Sequence, residues 1–268
     1  MTPRLSIADY HVHSTFSDGH EDVDACCERA LSLGLAELGI SEHLTPPCLA
    51  PIADYGVAHE RLGEYVASVR EAATRYPELR LLCGVEADFA PDGIMEMVEL
   101  LCGRDFDYVL CSVHFTDGFQ FNAVEHCGDP GWDDPGRVCR RYWQLVREAA
   151  ASGLFDVLAH PDLPKRWGHR HDEDITALED EAIAALADAG MALEVNTSGL
   201  RHPVAELYPT PSLLRRAREV GVPLTFGSDA HHAADIGAGF SEALTLARAA
   251  GYDSWLRLSD RQSVALPG

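Results

Sequence analysis

Short apolar runs alternate with amphipathic segments along nearly the whole chain. Leu5–Tyr10 is apolar and ends at His11. Glu21–Leu33 then carries Val23, Cys26, Cys27, Ala30 and Leu31 at helical spacing and stops at Gly34. The same alternation predicts strands at Ala36–Ser41, Arg80–Val85, Tyr108–Val113, Phe155–Ala159, Ala192–Val195 and Pro223–Gly227. Helices are expected at Ala58–Tyr76, Ile94–Cys102, Arg137–Ala151, Asp174–Ala189, Ser212–Val220 and Ser241–Ala250. A longer connection, Phe115 to Pro135, is rich in Gly, Asp and aromatics, and connections of that length often carry function. Continuous apolar strands separated by helices imply a parallel sheet with both faces covered. A polar residue ends every strand, which favours a closed barrel over an open doubly wound sheet, because an open sheet concentrates its site at one switch point.

Composition narrows the function. The chain has 268 residues, 46% of them hydrophobic, enough for a sizeable core in one domain spanning 1–268. No apolar run approaches the length of a membrane span, and the N-terminus leads directly into a strand, so a cytoplasmic location is expected. Eight cysteines form no C-x-x-C pair and read as small core residues in a reducing compartment. Acidic residues outnumber basic ones 43 to 21, for a formal charge of −22. That field argues against a nucleic-acid polymer as partner but not against a small phosphorylated substrate. Lys165 is the sole lysine, so no phosphate-binding G-x-x-x-x-G-K-[ST] loop exists. Nothing in the pattern specifies an oligomeric state.

The candidate chemistry lies at the strand ends. His11 and His13, two apart on a strand, point the same way and can face one metal. Asp18 follows in Ser17-Asp18-Gly19, which alone reads as a turn. His43 ends the second strand, preceded by Glu42, either a support for an imidazole or a solvated charge. Glu86 follows the third strand, where an unpaired buried carboxylate is costly; it either bridges cations or pairs with arginine. His114 and His160 end the fourth and fifth strands, and Asp229 and His231 end the last in Gly227-Ser228-Asp229-Ala230-His231. Six imidazoles and three carboxylates at the C-terminal rim of a parallel barrel are a donor set for divalent metals. Arg166 and Arg201, in loops on the same rim, are suited to gripping phosphate.

Together these stretches resemble the PHP (polymerase and histidinol phosphatase) superfamily. The chain looks most like its histidinol-phosphate phosphatases, through Ser112-Val113-His114-Phe115, the stretch from Phe155 to Asp162, and Glu194-Val195-Asn196-Thr197-Ser198-Gly199-Leu200-Arg201. The Tyr208-Pro209 pair fits as well. The resemblance implies an α/β fold, a distorted seven-stranded (β/α)7 TIM-like barrel, with three divalent ions (Zn, Mn or Fe). It gives His11, His13, Glu86 and Asp229 to the first metal, Glu86, His114 and His160 to the second, and Asp18, His43 and His231 to the third. Arg201, with Arg166 and Asn196, would contact the substrate. It implies hydrolysis of L-histidinol phosphate by metal-activated hydroxide, with Asp162 a candidate partner for the substrate amine. Glu42 stands where the commoner residue is Asp. The competing readings are a PHP phosphoesterase acting on nucleotides or short nucleic acids, an amidohydrolase, and a non-catalytic metal-binding module. The amidohydrolase reading lacks a lysine at a central strand end, since Glu86 is there and Lys165 sits in a loop.

Overall fold

The computed structural model describes residues 7–49 and 53–267. Six strands, β1 (Glu37–Leu44), β2 (Arg80–Asp88), β3 (Tyr108–Ser112), β6 (Val157–Leu158), β7 (Ala192–Asn196) and β8 (Leu224–Gly227), form one curled, all-parallel sheet in the order β1-β2-β3-β6-β7-β8. Between β3 and β6 lie the two short strands of a hairpin, β4 (Phe115–Thr116) and β5 (Phe119–Gln120). All eight residues of β1, and every residue of β7 and β8, are buried, as expected of strands covered on both faces. Among the described residues seven α-helices alternate with the strands of the sheet: α1 (Val23–Leu33), α2 (Leu62–Arg75), α3 (Ile94–Leu101), α4 (Pro135–Ser152), α5 (Thr176–Ala189), α6 (Pro211–Glu219) and α7 (Phe240–Ala249).

Local chemistry sets their limits. Asp22 caps α1 by accepting from the Ala25 amide, and Gly34 ends it in the left-handed conformation. Asp134 caps α4 in the same way, with Pro135 in the first turn, where its missing N–H costs nothing. One face of α4, including Val138, Tyr142, Trp143, Val146 and Ala149, is buried.

The expected first strand differs. Leu5 and Ser6 lie outside the described residues, and the remainder of Leu5–Tyr10 is not part of a named strand. Residues 9–13 nevertheless touch both edges of the sheet. Asp9 bridges Leu38, Val12 bridges Ala230, and the amides of Gly39 and Ser41 donate to the carbonyls of Asp9 and Val12, both at 2.8 Å. Tyr108 lies across β1 and β2 where only hydrogen fits: a Cβ on Gly39 would stand 2.1 Å from its hydroxyl, and one on Gly84 2.3 Å from its ring. Its hydroxyl donates to the Tyr10 carbonyl at 2.6 Å.

A C-terminal hairpin, β9 (Ser254–Arg257) and β10 (Gln262–Ala265), extends the pattern beyond the last expected helix. It closes the strands' N-terminal end, with Trp255 packing on Tyr10 and Phe226 and the Leu258 amide donating to the Tyr10 hydroxyl. The chemistry is left to the opposite rim.

Candidate metal centre

Parallel register delivers the donors. β1 and β2 align so that His43 stands opposite Glu86. His114 lies just past β3, His160 just past β6 and Asp229 just past β8. His160 and Asp229 both hold positive φ, 27° and 53°, a conformation that persists only where surrounding bonds enforce it.

The nine donors come together. Glu86, fully buried, is the hub: its oxygens lie 2.7 Å from His43 Nδ1, 2.7 Å from His160 Nε2, 3.2 Å from His11 Nε2, 3.5 Å from His114 Nε2 and 3.6 Å from His13 Nε2. Asp229 Oδ1 lies 3.4 Å from His13 Nε2, and Asp18 reaches His231 Nε2 at 3.3 Å and His43 Nε2 at 3.6 Å. The donor atoms fall into four groups, each within 4.8 Å: His13, Asp18, His43 and His231; His11, His13 and Asp229; His11, Glu86 and His160; His43, Glu86 and His114.

The residues fit divalent cations. His11 Nε2, His13 Nε2, His43 Nδ1 and Glu86 Oε2 are buried atoms without a hydrogen-bond partner, a costly condition unless a cation takes their lone pairs. The carboxyls of Glu86 and Asp229 lose solvation through burial, but the imidazoles around them hold both well below the usual carboxylate range. Burial, aided by His43 and His231, pushes His13 down to about 3, leaving a neutral imidazole. For His43 burial is outweighed by Glu86 and Asp18, which raise it to about 10, and for His11 by Glu194, Glu86 and Asp229. A cation would take the place of those protons.

Supporting groups surround the donors. Asp88 accepts from His114 Nδ1 at 2.7 Å, from Tyr55 Oη at 2.8 Å and from Thr45 Oγ1 at 2.9 Å. Glu42 does not touch an imidazole; it accepts from the Ser14 amide at 2.9 Å and from the Ser14 and Ser17 hydroxyls, and so holds the turn that carries Asp18. Burial pushes its carboxyl up to about 7 against those bonds.

A cavity of about 780 Å³ opens over the donors. Arg166 lines it, with its Nε buried and without a partner, and among the described residues no carboxylate pairs with it. His202 lines it too, pushed down to about 4 by burial and then by Arg166. The outer wall comes from the long connection, through Gln120, Asn122, Glu125 and His126, joined by Trp167.

Three residues expected at the substrate stand elsewhere. Arg201 donates through Nη2 to the carbonyls of Ser228, at 2.6 Å, and Asp229, at 3.2 Å, its Nε lies 3.6 Å from Asp235 Oδ2, and it is not in the lining. Asn196 is fully buried, its amide donating to Glu194 and its carbonyl accepting from Ser198. Asp162 accepts from the Thr210 amide and lies 3.3 Å from Lys165 Nζ, away from the cavity. Lys165 itself is buried and donates to the Leu207 carbonyl, so no lysine enters the donor set. Glu194, Asp88, Tyr55 and His202 received no role from the sequence. For Glu194 there was a signal, a carboxylate inside an otherwise apolar strand, which must find partners.

Comparison with known proteins fits this geometry. The PHP domain model matches residues 9–198, and a PHP-associated model matches 214–245. A "Probable histidinol-phosphatase" of Deinococcus radiodurans is 37% identical over 242 residues, covering 89% of this chain and 91% of that protein. A "Histidinol-phosphatase" of Bacillus subtilis is 28% identical over 256 residues, covering 85% and 95%. The crystal structure of a histidinol phosphate phosphatase from Lactococcus lactis, complexed with Zn, L-histidinol and phosphate, superposes with a TM-score of 0.81 at 22% identity, over 97% of this chain and 99% of that one.

Proposed function

The chain belongs to the PHP domain family, and on that premise we propose that it is a metal-dependent phosphomonoesterase that hydrolyses L-histidinol phosphate to L-histidinol and phosphate, a step of histidine biosynthesis. The observation that carries the reading is the convergence of nine donors beneath a cavity that also holds one unpaired arginine. Identity to named histidinol-phosphatases over most of both chains supports the substrate.

On this reading the donors hold three ions, one on His11, His13, Glu86 and Asp229, one on Glu86, His114 and His160, and one on Asp18, His43 and His231; the four donor groups differ in composition but overlap through His11, His13, His43 and Glu86, which supports one shared cluster. When bound, divalent cations supply positive charge to the phosphoryl oxygens and acidify the attacking water. Arg166 grips the phosphate from the cavity wall, where its guanidinium has no competing carboxylate. Arg201 supports that rim by fixing the Ser228 and Asp229 carbonyls. His202 stays neutral beside Arg166, leaving the arginine charge unshared. Asp54 and Glu125, the lining carboxylates outside the donor set, face the cationic amine of the substrate in place of Asp162. Residues 9–13 act as the seventh stave of a (β/α)7 barrel, and the domain 1–268 carries the whole activity. No described helix is long and apolar enough to cross a membrane, and the free thiols of all eight cysteines suit the cytoplasm.

The test is phosphate release by chelator-stripped protein reloaded with Mn²⁺, Zn²⁺ or Fe²⁺. The reading expects turnover of L-histidinol phosphate only after reloading. Release from nucleotides alone, with none from L-histidinol phosphate under any metal, would move the enzyme to another branch of the family.

A further inference from the structure

Glu194 sits in the middle of β7, 1% exposed, among Leu193 and Val195. A carboxylate there is costly unless it is fully bonded. It is. Oε1 lies 2.9 Å from His11 Nδ1, and Oε2 accepts from the His160 backbone amide at 2.8 Å and from the Asn196 side-chain amide at 2.9 Å. The Asn196 carbonyl oxygen accepts from the Ser198 amide at 2.9 Å. Ser198 Oγ stands 2.7 Å from that oxygen and 2.9 Å from Asp229 Oδ2. Because the Ser198 amide already serves Asn196, the hydroxyl proton is free for Asp229. An unbroken hydrogen-bonded path therefore runs from Asp229 through Ser198, Asn196 and Glu194 to both His11 and His160.

We infer that Glu194, Asn196 and Ser198 form a positioning relay that fixes three donors from three separate segments and so sets the affinity of the innermost cations. This rests on the reading of His11, His160 and Asp229 as metal donors. The bond to Glu194 holds the His11 proton on Nδ1 and leaves the Nε2 lone pair aimed at Glu86 and Asp229. The same carboxylate ties down the His160 backbone, whose φ is positive. The fold makes room for the arrangement: a Cβ at Gly227 would stand 1.8 Å from Glu194 Oε1 and 2.6 Å from His11 Cβ. Glycine at 227 is what lets β7 reach across β8 to the imidazole.

Glutamine cannot replace Glu194. Its NH2 either faces the two N–H donors of His160 and Asn196, or faces His11 Nδ1 and drives the ring proton onto Nε2, the atom a cation needs. The experiment titrates full-length, chelator-stripped protein with Zn²⁺ and Mn²⁺ against a competing chelator, for wild type, E194Q and S198A, with thermal melts of each. The expected result is a dissociation constant raised about 10- to 100-fold in E194Q and less in S198A. Ring ¹⁵N spectra should show His11 Nδ1 protonated in the zinc-loaded wild type, a signature that a merely structural role of Glu194 would not require. Wild-type affinity in a folded E194Q overturns the relay. If E194Q does not fold, S198A decides, and unchanged affinity there overturns it equally. Failure of wild type to bind either cation would instead strike the reading of the nine donors.

Discussion

The nine donors divide into a deep half and an outer half. His11 and Glu86 have fully buried side chains, and the deep half is braced from behind by Glu194 and Asp88. Asp18 and His231 are 36% and 33% exposed. Asp18 rides on a turn held through Glu42, and His231 Nδ1 is braced by Asp229 alone among the described residues, by its carbonyl at 3.2 Å and its Oδ1 at 3.7 Å. Fixed geometry in a dry site binds cations tightly, whereas exposed donors on a loop hold them loosely. On the proposed three-ion reading, the deep half would be the permanent framework of the centre and the outer half its exchangeable edge, next to the cavity.

Four perturbations sharpen that contrast. The largest effect belongs to His11→Ala, which removes a donor shared by two groups. Activity should fall by more than about 100-fold, beyond what loss of a mere support costs, and metal analysis should show the innermost cation missing. Retention of full metal content would break the account of the deep half. Arg166→Ala should come next, raising KM for the phosphate ester roughly 10- to 100-fold with little loss of bound metal, the worth of hydrogen bonds to a charged group. A change in kcat alone would remove Arg166 from substrate binding. Asp18→Asn should weaken only the outermost cation, by about 10-fold, with the inner cations retained after dialysis. Loss of all metal together would show that the two halves do not act separately.

The smallest effect is a pH dependence at His202. Burial and Arg166 lower this imidazole to about 4, so between that value and its ordinary 6.5 the unfolded chain binds more protons than the folded one. Stability therefore rises with pH across this window, and the cost to the fold is complete below about pH 4. For a partly exposed ring it amounts to about 1 kcal/mol. Urea melts from pH 4 to 7 should show His202→Asn flattening that slope; an unchanged slope would place the proton elsewhere.

Apart from Asp18, a turn residue legible only beside the others, most of the candidate donors were legible because they stand at the ends of apolar runs, and a parallel sheet gathers such ends at a single rim. His43 and Glu86 illustrate this: they end strands separated by a long helix, yet register sets them side by side. What escaped the sequence depends on partners distant in the chain. Glu194 and Asp88 look like flaws in apolar strands until His11 and His114 are placed beside them. Asn196 and Arg201 have the right chemistry for a substrate, but both bond to nearby protein groups and neither lines the cavity. The first strand is only partly present, with single bridges at Asp9 and Val12, and the C-terminal hairpin drew no expectation from the sequence; here the reason is different. Their pairing is short or made of single bridges, too little to impose a periodicity, although Trp255 and Tyr10 bury well there.

The most direct test of the account is the ratio of kcat/KM for L-histidinol phosphate to that for a 3′,5′-bisphosphate nucleotide and an aryl phosphate, measured on metal-loaded wild-type protein. The account predicts strong preference for L-histidinol phosphate, abolished by removal of the metals. Equal turnover of all three esters, or preference for the nucleotide, would contradict it.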